Sequence, residues 1–123
     1  MSILLGRIVI LVEDYDDAFE FYEQNLGARK IVDYTVGPQR YLHIGFDEGG
    51  AGIWFLRSPG HTGRQTNGEP AMVMYTTEFE TLKSRLEQNG VNISKPAVYT
   101  DEAWFLHFLD LYGNEIVLVE MRK

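Results

Sequence analysis

The 123-residue chain contains no cysteine. Disulfides, thiolate metal sites and a cysteine nucleophile are therefore excluded, and the absence of disulfides fits a reducing compartment. The chain also lacks a run of 18 apolar residues and a basic stretch followed by a cleavable apolar segment. We therefore expect a cytoplasmic protein that does not enter a membrane.

Positive charge is scarce as well. There are 11 Lys and Arg against 18 Asp and Glu, which gives a formal net charge of −7. No local cluster of basic residues offsets this excess, so a nucleic-acid partner is excluded on electrostatic grounds. Solubility explains the surplus of acidic residues, although the same surplus would help to attract a cationic ligand.

The chain does contain an internal repeat with a period of 63 residues. Gly27 matches Gly90, and each closes a helical stretch. The apolar run Ile53–Leu56 matches Ile116–Val119, and each follows a tight turn. Turns, helices and strands therefore follow the same order twice, which predicts two structurally similar halves within a single domain.

Each half predicts a strand, a helix and three further strands, so the fold class is α+β. The first half predicts a strand at Arg7–Val12, a helix capped by Asp14 and closed by Gly27, and strands at Lys30–Thr35, Tyr41–Phe46 and Gly52–Arg57. The second half predicts a strand at Met72–Tyr75, a helix begun by a Thr77–Glu80 capping box, and strands at Val91–Tyr99, Trp104–Leu109 and Glu115–Met121. We divide the chain into module one (1–57), a Gly- and Pro-containing linker (58–70) and module two (71–123).

Two stretches resemble the vicinal oxygen chelate superfamily, which contains glyoxalases, bleomycin-resistance proteins and dioxygenases. ILVEDYDDAFEFYEQNLGARKIVD resembles that family's opening strand and its A-x-x-FY-x-x-x-LG helix. FLHFLDLYGNEIVLVE resembles its closing F-x-D-P-D-G-N-x-I-E-L hairpin, with Leu111-Tyr112 in place of the usual Pro-Asp. The resemblance implies two βαβββ modules that form a curved mixed sheet around a pocket, helices on the outside, and a homodimer.

The resemblance also implies where a metal would be bound. Metal-dependent members place four His or Glu ligands on the pocket faces of four strands, and these positions carry over to Arg7, Trp54, Ala71 and Val117. None of these side chains offers a suitable lone pair to a divalent cation. We therefore expect no metal and no other cofactor.

A displaced metal site is the alternative. His43, His107 and Glu115 form a chemically reasonable set for iron or zinc. With an offset of 63, however, His107 matches Ile44 rather than His43. Both histidines can face the pocket only if one strand contains a bulge or slips by one residue.

Alternation of side chains along the strands predicts which residues line the pocket. The predicted ligand-binding residues are Arg7, Tyr41, His43, Trp54, Tyr75, Phe105, His107 and Val117. On one strand Leu42 and Ile44 are the alternative to Tyr41 and His43. Trp54 can equally well fill the space itself, and Arg7 can pair with Glu115 or Glu13. An aromatic-lined cavity with few polar groups is typical of a site for an organic ligand.

We therefore predict a metal-independent protein that binds and sequesters a small aromatic or cationic molecule. The alternative is an enzyme of the same fold. It would be a lyase, isomerase or dioxygenase with displaced metal ligands, or a metal-free catalyst that uses His107 and Arg7. A regulatory module whose pocket is filled by Trp54 is the third hypothesis.

Overall fold

The strand, helix and three-strand pattern occurs twice in the structure, a computed structural model that describes residues 1–63 and 65–123. The chain divides into two compact units, Met1–Thr62 and Gly63–Lys123. The division falls inside the segment 58–70, where glycine and proline are frequent. Two helices and two four-stranded mixed sheets confirm the α+β fold predicted from the repeat.

The first unit consists of β1 (Arg7–Val12), α1 (Tyr15–Leu26), β2 (Arg29–Val36), β3 (Gln39–Gly45) and β4 (Gly52–Arg57). Its strands lie in the order β1-β4-β3-β2, with β1 parallel to β4 and the other pairs antiparallel. Helix α1 covers one face of this sheet, where the ring of Tyr22 lies 5.5 Å from that of Phe55. Both rings are fully buried, so this contact forms the centre of the unit's core.

Helix α1 begins and ends as its sequence predicts. The Asp14 carboxylate accepts a hydrogen bond from the Asp17 N–H at 2.8 Å, which satisfies one of the free donors of the first turn. Gly27 adopts the left-handed conformation, with φ of 70°, and its N–H donates to the Glu23 carbonyl at 3.0 Å. Only glycine adopts this conformation without steric cost, so Gly27 fixes the helix end.

The second unit repeats this arrangement with β5 (Pro70–Tyr75), α2 (Phe79–Gln88), β6 (Lys95–Tyr99), β7 (Ala103–Leu109) and β8 (Glu115–Met121). Its strand order is β5-β8-β7-β6, with β5 parallel to β8. Phe79 and Leu86 of α2 are fully buried, together with Leu106 and Leu118 of the sheet. These apolar side chains form a separate core for the second unit.

The start of α2 differs from the prediction. The Thr77–Glu80 capping box does not form, because the helix begins at Phe79 and the residue before it makes no side-chain cap. Instead the Phe79 N–H donates to Oε1 of Glu120, on β8, at 2.9 Å. The Glu80 carboxylate accepts from the Tyr99 hydroxyl instead. The predicted capping box was therefore wrong, since a carboxylate distant in sequence provides the cap.

Strand β6 is shorter than the predicted Val91–Tyr99. The Val91 N–H donates to the Leu86 carbonyl at 3.0 Å and so closes the end of α2. Residues 91–94 therefore continue from the helix terminus, and pairing with β7 begins at Lys95.

The two central histidines occupy equivalent positions in their own sheets. His43 on β3 pairs with Trp54 on β4, and His107 on β7 pairs with Val117 on β8. Trp54 and Val117 are themselves equivalent in the repeat. The one-residue mismatch between the histidines in the sequence is therefore compensated between β3 and β4.

This compensation lies in the hairpin turn. The Gly49 N–H donates to the Phe46 carbonyl, and the Gly113 N–H donates to the Asp110 carbonyl in the same way. The turn of the first unit then contains an extra residue, Gly50, whose φ is 80°. The register thus changes in a glycine turn, where left-handed conformations are inexpensive, rather than through a bulge in β3.

Candidate functional site

The face of the first sheet that points away from α1, the distal face, carries a row of contacting aromatic rings. The Tyr34 and Tyr41 rings stack with centroids 5.2 Å apart. Tyr41 lies 6.3 Å from Trp54, and His43 lies 5.4 Å from Trp54. We name these four residues the aromatic ladder. Their sequence neighbours Leu42 and Ile44 are fully buried, which leaves Tyr41 and His43 on the distal face.

Strand register explains why these rings meet. His43 and Trp54 are direct cross-strand partners, and so are Tyr34 and Tyr41. Opposite positions on adjacent strands bring side chains within about 5 Å of one another on the same face. The turn at Gly37, whose φ is 57°, fixes the pairing of β2 with β3 and thereby aligns the two tyrosines.

Arg7 determines the protonation state of His43. Its Nε donates to Nδ1 of His43 at 3.3 Å, while its Nη1 donates to the Gly6 carbonyl at 2.8 Å. An arginine side chain is always protonated and can only donate, so Nδ1 must accept and the ring proton resides on Nε2. Burial, and then the charge of Arg7, lower the pKa of His43. The imidazole is therefore neutral, with its N–H fixed at Nε2.

Two N–H groups of the ladder are buried without a protein acceptor. In the part of the chain that the structure describes, neither Nε2 of His43 nor Nε1 of Trp54 has a hydrogen-bond partner. Each unpaired buried donor costs about 1–3 kcal/mol relative to a satisfied one. The ladder therefore combines large aromatic faces with two buried donors that have no partner among residues 1–63 and 65–123.

Ile31 lies against two glycines beside Arg7. The pairing of β2 with β3 is irregular between Lys30 and Val32, which leaves Ile31 out of register. A Cβ atom at Gly45 would lie 2.4 Å from Cδ1 of Ile31, and one at Gly52 would lie 3.2 Å from it and from Cδ of Arg7. The two glycines thus provide the space that Ile31 and the Arg7 stem occupy on the distal face.

The second sheet carries its predicted site residues on the face away from α2. Phe105, His107 and Val117 are half-buried there, and the alternate residues Leu106, Phe108, Ile116 and Leu118 are fully buried. His107 is the cross-strand partner of Val117. These three residues share one face because side chains alternate along β7 and β8.

A carboxylate accompanies His107. Its Nδ1 lies 3.4 Å from Oε2 of Glu115, and the Ser94 hydroxyl donates to Oε1 of the same carboxylate at 2.9 Å. The hydrogen bond from Ser94, and then the contacts with His107, lower the pKa of Glu115. The carboxylate therefore lies beside Nδ1 of His107, although this nitrogen makes no hydrogen bond within the described residues.

The remaining predicted residues are less enclosed. Tyr75 lies at the end of the edge strand β5 and is 71% exposed. Ala71 lies at an irregularity of the pairing between β5 and β8.

The residues at the four positions that the family resemblance implies for metal ligands do not fit a divalent cation. Arg7 presents a cation, Trp54 an N–H donor, and Ala71 and Val117 only hydrocarbon. The Nδ1 lone pair of His43 is already used by Arg7. Across residues 1–63 and 65–123, no group of three or more His, Cys, Asp or Glu side chains is placed to bind a metal ion.

Two residues of these surfaces were not among the predicted ligand-binding residues. Tyr34 extends the aromatic ladder, and Glu115 accompanies His107. The signal for Tyr34 was the short Gly37-Pro38 turn, because a two-residue loop places Tyr34 directly opposite Tyr41.

No helix among the described residues is long and apolar enough to cross a membrane.

Comparison with known proteins places the chain in a family. The family model of the Glyoxalase/Bleomycin resistance protein/Dioxygenase superfamily matches residues 4–118. An uncharacterised Bacillus subtilis (strain 168) protein, YurT, is 27% identical over 119 residues, which cover 90% of this chain and 94% of that protein.

Solved structures share the fold of this chain. The crystal structure of UcmS2 is 25% identical with a TM-score of 0.81, covering 97% of this chain and 98% of that one. TnmS3, an antibiotic binding protein from Streptomyces sp. CB03234, is 20% identical with a TM-score of 0.80, covering 98% of this chain and 97% of that one. The chain therefore belongs to the glyoxalase/bleomycin resistance protein/dioxygenase superfamily.

Proposed function

We propose that the protein binds and sequesters a small organic molecule, without a metal ion, against the aromatic ladder of its first unit. The observation that carries this proposal is the continuous contact of four rings on one sheet face. Stacked aromatic side chains offer a large apolar surface at low conformational cost, and a few polar groups beside them fix the orientation of a ligand.

Two further observations support binding rather than metal-dependent catalysis. Arg7 and Trp54 stand where metal-dependent relatives carry ligands, and both present hydrogen atoms rather than lone pairs. TnmS3, which has the same fold, is described as an antibiotic binding protein. A protein of this fold can therefore serve to hold an organic compound, and the ladder is a surface suited to the same task.

Trp54 is testable because the chain has only two tryptophans. Uncharged 2-naphthamide, used as a probe, is expected to quench the emission of wild-type protein. Trp54→Phe is expected to lose most of the quenching and about tenfold in affinity, since an aromatic contact contributes about 0.5–1.5 kcal/mol. Fluorescence titration and calorimetry measure the two effects.

Trp104→Phe is the matched control. Trp104 packs against Tyr99 and Phe79 and under Arg122, whose guanidinium carbon lies 3.8 Å from the ring centroid. The Trp104→Phe variant is expected to retain wild-type affinity for the probe. Equal affinities of the Trp54→Phe variant and the wild type, or quenching only through Trp104, would contradict the proposed site.

A metal-free enzyme is the second candidate, and the contact of His107 with Glu115 favours it. A histidine beside a carboxylate is a common arrangement for a general base, which accepts a proton from a bound molecule. Any small molecule that co-purifies with the protein is a candidate substrate. If the protein is an enzyme, mass spectrometry will show that the wild type converts this molecule and that the His107→Gln variant leaves it intact. If the molecule is recovered intact from the wild type and from the variant, sequestration is supported.

A further inference from the structure

We propose that the aromatic ladder selects its ligand by hydrogen-bond polarity, and that it takes flat molecules with carbonyl, carboxylate or phenolate oxygens rather than cations. This inference rests on the proposed function and specifies the chemistry of the ligand. It depends on the donors and acceptors that Arg7, His43 and Trp54 present on the distal face.

The two nitrogen-containing rings of the ladder, His43 and Trp54, present donors and no acceptor to a ligand. The indole of Trp54 can only donate, and the bond from Arg7 Nε consumes the one acceptor of the His43 ring. What remains of that ring for a ligand is its Nε2–H. The hydroxyls of Tyr34 and Tyr41 can donate or accept, so they adapt to a ligand without setting its polarity.

Burial makes this polarity selective. Nε2 of His43 and Nε1 of Trp54 are both shielded from solvent and lack an acceptor among the described residues. A ligand oxygen that moves the covering side chains aside and accepts either hydrogen satisfies a donor that is left unpaired within the described residues. An ammonium group in the same place adds a third donor to two unsatisfied ones, so the site rejects it.

The local charge opposes the charge of the whole chain. The net charge of −7 would attract a cation from a distance. Solvent-exposed charges more than about 8–10 Å away are largely screened at physiological ionic strength, whereas a partly buried charge is screened much less. Arg7 is half-buried and in direct contact with His43 of the ladder, so its positive charge adds to the preference that the two buried donors set.

Three naphthalene probes of the same ring size test this inference. 2-Naphthoate, 2-naphthamide and 2-naphthylmethylammonium differ in charge and in acceptor atoms but present the same aromatic face. The test uses the Trp104→Phe background, in which Trp54 is the only reporter of emission. At pH 7.5 we expect naphthoate to bind at least tenfold more tightly than naphthylmethylammonium, with naphthamide between them.

Two variants test whether the preference for naphthoate over naphthylmethylammonium depends on His43. His43→Phe keeps a ring in the ladder and removes the Nε2–H, so the ratio of the naphthoate and naphthylmethylammonium affinities is expected to fall severalfold. His43→Gln keeps an acceptor for Arg7 and an amide N–H near the former Nε2, so it is expected to retain most of the ratio. Trp54→Phe, followed by calorimetry, removes the second donor in the same way and gives an independent reading.

The outcomes separate this inference from the function on which it rests. Binding of all three probes with equal affinity, or a preference for the ammonium, overturns the polarity and leaves an aromatic binding site intact. A preference for naphthoate that persists unchanged in His43→Phe and Trp54→Phe also overturns it. Failure of every probe to bind, 2-naphthamide included, overturns the proposed function itself and with it the inference.

Discussion

Replacement of Asp110 by alanine is expected to lower the free energy of unfolding by about 3 kcal/mol, because buried N–H groups lose a charged acceptor. Asp110 opens the β7–β8 turn and is 6% exposed. Its Oδ1 accepts from the backbone N–H groups of Tyr112 and Asn114, both at 2.9 Å, and its Oδ2 accepts from Nδ2 of Asn114 at 3.0 Å. Alanine offers none of these acceptors, so the turn that sets the register of His107 loses its main support.

Urea and thermal unfolding measure this loss. For a chain of 123 residues, a change of this size corresponds to roughly 10 °C in Tm. Asp110→Asn keeps one acceptor oxygen and is expected to lose less than half as much.

Asp47→Ala is the matched control, because the repeat aligns Asp47 with Asp110 in the sequence. The Asp47 side chain is 86% exposed and makes only a 3.6 Å ion pair with Arg29. An exposed pair of this kind contributes about 0–1 kcal/mol. Equal destabilisation by the two alanine substitutions would show that the buried bonds of Asp110 do not support the turn.

The contrast between Asp47 and Asp110 shows what a repeat in the sequence can predict. The strands at Arg7–Val12, Gly52–Arg57 and Glu115–Met121 have the predicted bounds, because each is a short apolar run bounded by turn residues. The helix caps at Asp14 and Gly27 were also predicted, since both act within one turn. In the structure, however, the residue equivalent to Asp110 in the first hairpin turn is Phe46 rather than Asp47. The reason is that the first turn contains one extra residue.

Features that depend on contacts between residues distant in sequence could not be predicted from the sequence. Glu120 of strand β8 caps helix α2, and no local sequence pattern predicts such a contact. The same holds for the bond from Arg7 to His43, which joins residues 36 positions apart and fixes the tautomer of the ring. The alternation of side chains along a strand predicts which residues share a face, whereas the direction of each hydrogen bond depends on contacts between residues distant in sequence.

Substitution at Gly52 tests the space beside Arg7. A Cβ at Gly52 would lie 2.5 Å from the backbone oxygen of Ile44, and that oxygen belongs to the strand paired with β4. The backbone cannot retreat without weakening this pairing, so Gly52→Ala is expected to cost about 2–3 kcal/mol, the upper part of the range for overpacking. It is also expected to displace Arg7 and thereby weaken naphthoate binding.

Gly45→Ala separates backbone from side-chain crowding. A Cβ at Gly45 would lie 2.4 Å from Cδ1 of Ile31, an even shorter distance, but this atom is the far end of a side chain that is 47% exposed. Ile31 can rotate away, so Gly45→Ala is expected to cost less than about 1 kcal/mol. Denaturant unfolding of the two variants decides the matter. A larger loss of stability in Gly45→Ala than in Gly52→Ala would contradict this assignment. It would show that the Ile31 side chain, rather than the backbone of β3 against β4, limits the space beside Arg7. The position of the guanidinium beside the ladder would then require another explanation.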